Sequence, residues 1–337
     1  MTLPLGDSGR SAVVLDAHSD LFNDIVERRA HGQTRVLQER HLPQLREGGV
    51  DVLVCAVYVE ARFKPDRALP RALQILDAIH CELEETPDSL RLCLNTADIQ
   101  AAQAAGQLAV LISLEGAEPL GNDFGVLRLM HRLGLRWVGL TWNQRNQVAD
   151  GIGERRTRGR LTEYGLALVR ELNRSRMLID LAHIAEEAFY DVIEASDQPV
   201  VFSHGNCAAV CEHDRNLTDA QLEALAFRGG VLGITFHPPL VSASRPCLEE
   251  VARHIDHAIR IMGIDHVGIG ADFSDFIVWD PAEVGTGFEE QPKTENLQGV
   301  SDLPKLLEAL LARGYTPDQT AGLLGANFMR VIKEVIG

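Results

Sequence analysis

Eight short β-rich runs alternate with amphipathic helical stretches along this chain, and that alternation limits its fold more than any other feature. The runs are AVVLDA (12–17), VDVLVCAVYV (50–59), LAVLISL (108–114), RWVGLTW (136–142), MLIDLA (177–182), PVVFS (199–203), GVLGITF (230–236) and HVGIGA (266–271). Several are apolar without a break, as strands covered on both faces tend to be. Between them lie helical patterns such as RALPRALQILDAIHCELEE, LTEYGLALVRELNRSR, IAEEAFYDVIEA and CLEEVARHIDHAIRIMG. TDAQLEALAFRGG opens on a threonine cap and closes on glycine, a helix start and stop. The arithmetic is that of an α/β chain folded as a single (β/α)8 TIM barrel over residues 1–337. An open doubly wound sheet is the competing architecture, but no GxGxxG turn follows the first run. Additional C-terminal helices from about Ser301 are expected to pack outside the barrel. Residues 277–299 read as a long loop over the barrel mouth and 150–160 as a shorter one.

Composition removes several partners. A formal net charge of −16 repels phosphate backbones and anionic lipid surfaces, which argues against nucleic acid and membrane ligands. No apolar run is long enough to cross a bilayer. The opening MTLPLGDSGR lacks the basic start and apolar core of a secretory signal, and no hydrophobic tail follows VIKEVIG, so a cytoplasmic protein is expected. Its six cysteines are then expected as thiols. Cys207, Cys211 and His213 in CAAVCEH have no second Cys/His pair at a suitable spacing, which disfavours a structural zinc.

In a barrel of this kind the chemistry sits where strands end. Those ends carry His18 and Asp20, Glu115, Trp142, His183, His204, His237 and Asp272. Side chains two apart on a strand point the same way, so LDAHSD aims an imidazole and a carboxylate at one place. HxD alone is a weak signal, and His183 or His204 taken singly reads equally well as a packed core histidine. Together at successive strand exits they read as metal ligands. Glu115 could cap a following helix; its alternative is a carboxylate with one oxygen for each of two ions. Asp272 could cap a turn, ligate metal or act as general acid/base. Arg215, ahead of a helix start, has the planar fork that captures a carboxylate. His237 stays unassigned, and His254 and His257 read as a solvated helix face. Five nitrogen and oxygen ligands without cysteine suit catalytic zinc, and two ions sharing a water suit hydrolysis of an amide or ester.

The segments DAHSD, SLEG, GLRWVGLTWN, IDLAH, VFSHGNCAAVCEHDRNLTD, GIGADF and LLGANFMRV resemble, in order and over nearly the whole chain, the membrane (renal) dipeptidase family of zinc-dependent enzymes. The resemblance implies a (β/α)8 barrel with two Zn2+ per chain. It assigns His18 and Asp20 to one ion and His183 and His204 to the other, with Glu115 bridging. It further implies that Arg215 holds a dipeptide's C-terminal carboxylate and that Asp272 moves a proton from water to the leaving amine. Short dipeptides, including those with a D-configured C-terminal residue, are the implied substrates.

Two departures stand out. Trp142 occupies the place where animal members end the fourth strand in LTH, with a histidine thought to stabilise the tetrahedral intermediate; Asn143 or the metal is left to compensate. DFSD replaces DFDG, so Ser274 and Asp275 alter the mouth. Another small amide, such as an N-acyl amino acid or lactam, and a metal-loaded barrel that binds a ligand with little turnover stay open as alternatives. A homodimer is the default assembly.

Overall fold

Each of the eight apolar runs contains a strand, and all pair in parallel. The computed structural model describes residues 12–274, 276 and 293–337. Its strands are β1 (Leu15–Ser19), β2 (Val52–Tyr58), β3 (Leu90–Leu92), β4 (Leu108–Glu115), β5 (Leu135–Gly139), β6 (Leu178–Asp180), β7 (Val201–Gly205), β8 (Val231–Ile234) and β9 (Val267–Ile269). The sheet runs β1-β2-β4-β5-β6-β7-β8-β9, with β3 pairing β4 off that path. β3 takes the lower part of the β4 edge, at Leu108 to Val110, and β5 the upper part, from Ile112. Three residues are too few for a period to register, which is why β3 has no signature in the sequence.

The chain is a (β/α)8 TIM barrel, and a side chain helps to close it. Ala271, just past β9, donates its N–H to Asp16 Oδ1 of β1 at 2.8 Å. A buried carboxylate thus bridges the seam between the first and last strands.

Pleat parity divides the apolar side chains. Leu15, Val52, Val54, Ala109, Leu111, Trp137, Leu178 and Val201 pack in the barrel interior, whereas Leu53, Val57, Leu114, Val138 and Phe202 join the cluster shared with the surrounding helices. The interior cluster also contains Phe328, Val331, Ile332 and Val335. These form the apolar stripe of the last helix, Asn327–Val335, at the spacing of one helix face. The final helix therefore packs against the barrel's interior residues, which corrects the expectation that it lies outside. Phe328 stands 5.9 Å from Trp137, ring to ring. Gly268 makes room for it, since a Cβ there would fall 2.5 Å from the Phe328 ring. Phe328→Ala should lower unfolding free energy by about 3–5 kcal/mol, read as a lower urea midpoint. A loss below roughly 1 kcal/mol would mean that the ring is not part of the packed core.

The predicted threonine cap is present: Thr218 opens the helix Asp219–Phe227 with a reciprocal capping box to Gln221. His254 and His257 are a second correction. His254 is fully buried, accepting from Cys207 N–H at 3.1 Å through Nδ1 and donating to Val241 O at 3.0 Å. His257 Nε2 lies 2.6 Å from Asp219 Oδ1. Both lie on the face of the helix Leu248–Met262 that meets these neighbours, so local polarity misled the reading. All six cysteines are free thiols. Among the described residues no helix is long and apolar enough to cross a membrane. The segment 150–160 contains a short 3-10 turn, Ile152–Thr157, while 277–292 of the expected mouth loop lies outside the described residues.

Candidate active site

Two strands bring their histidines in by breaking their own pleat. Leu15 and Ala17 of β1 and Val201 of β7 face the interior. An unbroken alternation would turn His18 and His204 outward. In β1, however, the step from Asp16 to Ser19 is matched by only Leu53 to Cys55 on β2. In β7, Phe202 to Gly205 is matched by only Leu232 to Ile234. Each strand carries one extra residue, and such a bulge re-aims the side chains beside it. The two rings end 3.9 Å apart, centroid to centroid, and only 3% and 2% exposed.

The other side chains arrive by different routes. Glu115 continues the interior parity of Ala109 and Leu111 to the last residue of β4. His183 and Asp272 follow β6 and β9 with φ of 68° and 55°, the left-handed region that residues other than glycine seldom occupy. Held conformations of this kind concentrate at functional sites.

These side chains converge. His18 Nε2 lies 3.7 Å from Asp20 Oδ1, 3.8 Å from Glu115 Oε1 and 3.9 Å from Asp272 Oδ1. Glu115 Oε1 is also 3.0 Å from His183 Nε2 and 3.7 Å from His204 Nε2. The two latter nitrogens are 2.8 Å apart. Asn143 Oδ1 accepts from His183 Nδ1 at 2.7 Å, so the Nε2 lone pair of that ring faces the centre. Ser203 Oγ engages His204 Nδ1 at 2.8 Å.

The donor set fits a divalent metal. Candidate ligand atoms of His18, Glu115 and His204, and again of His18, Asp20 and Asp272, lie within 4.8 Å of one another. Asp20 Oδ1 is closed to solvent and has no hydrogen-bond partner among the described residues. Burial pushes the Asp20 carboxyl up to about 7 and raises those of Glu115 and Asp272 well above the usual range, with repulsion from Asp20 adding to both. Burial, then the nearby Arg215 charge, lowers His18 to about 3. Buried carboxylates that repel one another beside neutral imidazoles are groups that a cation would reconcile.

Around this centre stand residues with supporting contacts. Arg215 Nη2 donates to His204 O at 3.2 Å, and its guanidinium lies 5.7 Å from the Phe202 ring. Burial lowers it to about 10, which leaves it charged at neutral pH. Asp180 accepts from Ala182 N, Ser203 N and Trp137 Nε1 at 3.0, 2.9 and 3.0 Å, fixing the exits of β6 and β7. Trp142 lies between Tyr58 and His183, with ring centroids 5.2 and 5.8 Å away.

The structure thus brings together His18, Asp20, Glu115, His183, His204 and Asp272, with Arg215, Trp142 and Asn143 at the edge. His237 is half-buried, lowered to about 4 by desolvation and then by the charge of Arg215. Asp275 lies outside the described residues. Sequence reasoning missed Tyr58, Lys64, Glu118 and Asp180. Only Asp180 had a signal, as the carboxylate inside MLIDLA.

Comparison with known proteins identifies the family. The profile of the membrane dipeptidase family (peptidase family M19) matches residues 9–336. Dipeptidase verJ of Clonostachys rogersoniana is 34% identical over 278 residues, 82% of this chain and 67% of that protein. A metallo peptidase from Rhodobacter sphaeroides, solved with a phosphinate mimic of the dipeptide L-Ala-D-Ala, superposes with a TM-score of 0.85 at 28% identity, covering 97% of this chain and all of that one. An amidohydrolase from Pseudomonas aeruginosa has a TM-score of 0.81 at 25% identity over 96% of each chain. The chain belongs to the membrane dipeptidase family, and is a metal-dependent hydrolase of dipeptides.

Proposed function

We propose that this dipeptidase works with two zinc ions, one held by His18 and Asp20 and the other by His183 and His204, with Glu115 between them. The carrying observation is that Glu115 Oε1 lies within 3.8 Å of His18, His183 and His204 together. When bound, the metal pair supplies hydroxide near neutral pH and withdraws electrons from the scissile carbonyl. Asp272 accepts a proton from the attacking water and returns it to the leaving amine. Asn143 orients His183. Trp142 walls the reacting bond from solvent, and its indole N–H is its one donor. Arg215 holds the C-terminal carboxylate.

The dipeptide mimic held by the Rhodobacter relative supports dipeptides, with a D-residue tolerated at the C-terminus, over a lactam or N-acyl amino acid. Six free thiols fit a cytoplasmic enzyme, and a homodimer is the proposed assembly.

Metal-replete protein should release amino acids from L-Ala-L-Ala and L-Ala-D-Ala, and leave N-acetyl-alanine intact. Arg215→Met should lower kcat/KM on the free dipeptide about a hundredfold while changing the C-terminal amide little. A protein that cleaves no dipeptide would sink the reading. Equal losses on acid and amide would remove Arg215 from the carboxylate.

A further inference from the structure

Across the centre from Arg215, a second cation is buried in the wall of the site. The Lys64 side chain is 10% exposed, and its Nζ is closed to solvent with no hydrogen bond among the described residues. Nζ lies 5.1 Å from the Tyr58 ring centroid and 5.4 Å from that of Trp142, the indole that packs on His183. Glu118 Oε1 stands 3.2 Å away as its ion-pair partner, yet both Glu118 oxygens are likewise buried without hydrogen bonds among the described residues. An ammonium has three donors, and an enclosed charge with none of them satisfied is costly. A pair serving structure alone would satisfy those donors, as Arg71 does with Glu60 and Glu27 at 2.5–2.9 Å.

We propose that Lys64 is a specificity residue that receives a carboxylate on the side chain of the substrate's N-terminal residue, so that this enzyme favours dipeptides of the Glu-X and Asp-X class. The inference rests on the dipeptidase reading, in which Arg215 takes the C-terminal carboxylate. Arg215 borders the exit of β7 through His204 O, whereas Lys64 borders the exits of β2 and β5 through Tyr58 and Trp142. A dipeptide anchored on Arg215 therefore extends its N-terminal residue toward Lys64. The unsatisfied ammonium donors favour a residue with acceptor oxygens there. Its carboxylate accepts from ammonium donors that the Glu118 ion pair leaves without a hydrogen bond, and its α-ammonium offsets the added negative charge beside Glu118.

The test compares kcat/KM for L-Glu-L-Ala and the isosteric L-Gln-L-Ala, with L-Ala-L-Ala as reference, in zinc-loaded enzyme. Wild type should prefer the glutamyl substrate roughly tenfold or more. Lys64→Met should bring the ratio to about one or below, and Lys64→Arg should keep the preference by retaining charge. A wild-type ratio near one overturns the inference, whatever the folding of the variants. So does a preference that survives Lys64→Met. Cleavage of L-Ala-L-Ala and L-Gln-L-Ala without glutamyl preference defeats this inference alone, whereas inertness toward all three defeats the dipeptidase reading with it.

Discussion

Asp272→Asn should lower kcat by about a thousandfold while bound metal and thermal midpoint stay near the wild-type values. The substitution keeps size and hydrogen-bonding reach, and removes only the ability to take a proton. It also suits the backbone, because Asp272 has φ of 55° and asparagine tolerates that region better than most residues. Burial and the nearby Asp20 raise the Asp272 carboxyl, and Arg215 opposes them, so it sits among groups that set its proton affinity. Its 3.9 Å approach to His18 also makes it a candidate ligand. Metal analysis separates the two roles. Activity lost with metal retained marks proton transfer; activity and metal lost together would make Asp272 a ligand and require another base.

The strand ends that carry the candidate ligands were legible because each is a local pattern: an apolar run followed at once by His, Asp or Glu. The barrel made those local patterns converge, since parallel strands all end on one face. What stayed hidden depended on pairing. The bulges that turn His18 and His204 inward exist only in the register with β2 and β8, and no single strand encodes them. Asn143 was read as a substrate group from its place after Trp142, yet its amide meets His183, forty residues on. The last helix was misplaced for a similar reason, because its apolar stripe is the same whether it packs on the barrel's flank or its interior. Lys64 lies in a polar stretch, EARFKPD, that reads as exposed loop until Tyr58, Trp142 and Glu118 enclose it.

These placements divide the work between metal and protein. Asp180 and Asp16 accept from backbone N–H groups at the strand exits, and Asp180 also from Trp137 Nε1, which holds the mouth in register. Asn143 and Ser203 fix the two histidine rings. The centre itself is left with carboxyl groups and imidazole nitrogens crowded together, an arrangement that positive charge among them would stabilise.

Stripping metal should therefore cost stability as well as activity. Elemental analysis is expected to find about two zinc ions per chain, and a chelator should abolish dipeptide hydrolysis. A ligand present at a thousandfold its Kd stabilises the folded state by about 4 kcal/mol. For a chain of 337 residues that corresponds to a fall in Tm of roughly 6 °C on chelation. Glu115→Ala discriminates the cause. It removes the carboxylate that His18, His183 and His204 share, so the variant should bind less metal, and its Tm should respond little to chelator. It also relieves the repulsion that Asp20 and Asp272 exert on Glu115, so the metal-free variant should melt no lower than the metal-free wild type. A metal-free variant that melts well below metal-free wild type would show Glu115 stabilising the barrel without a cation, and would count against the charge argument on which the binuclear centre rests.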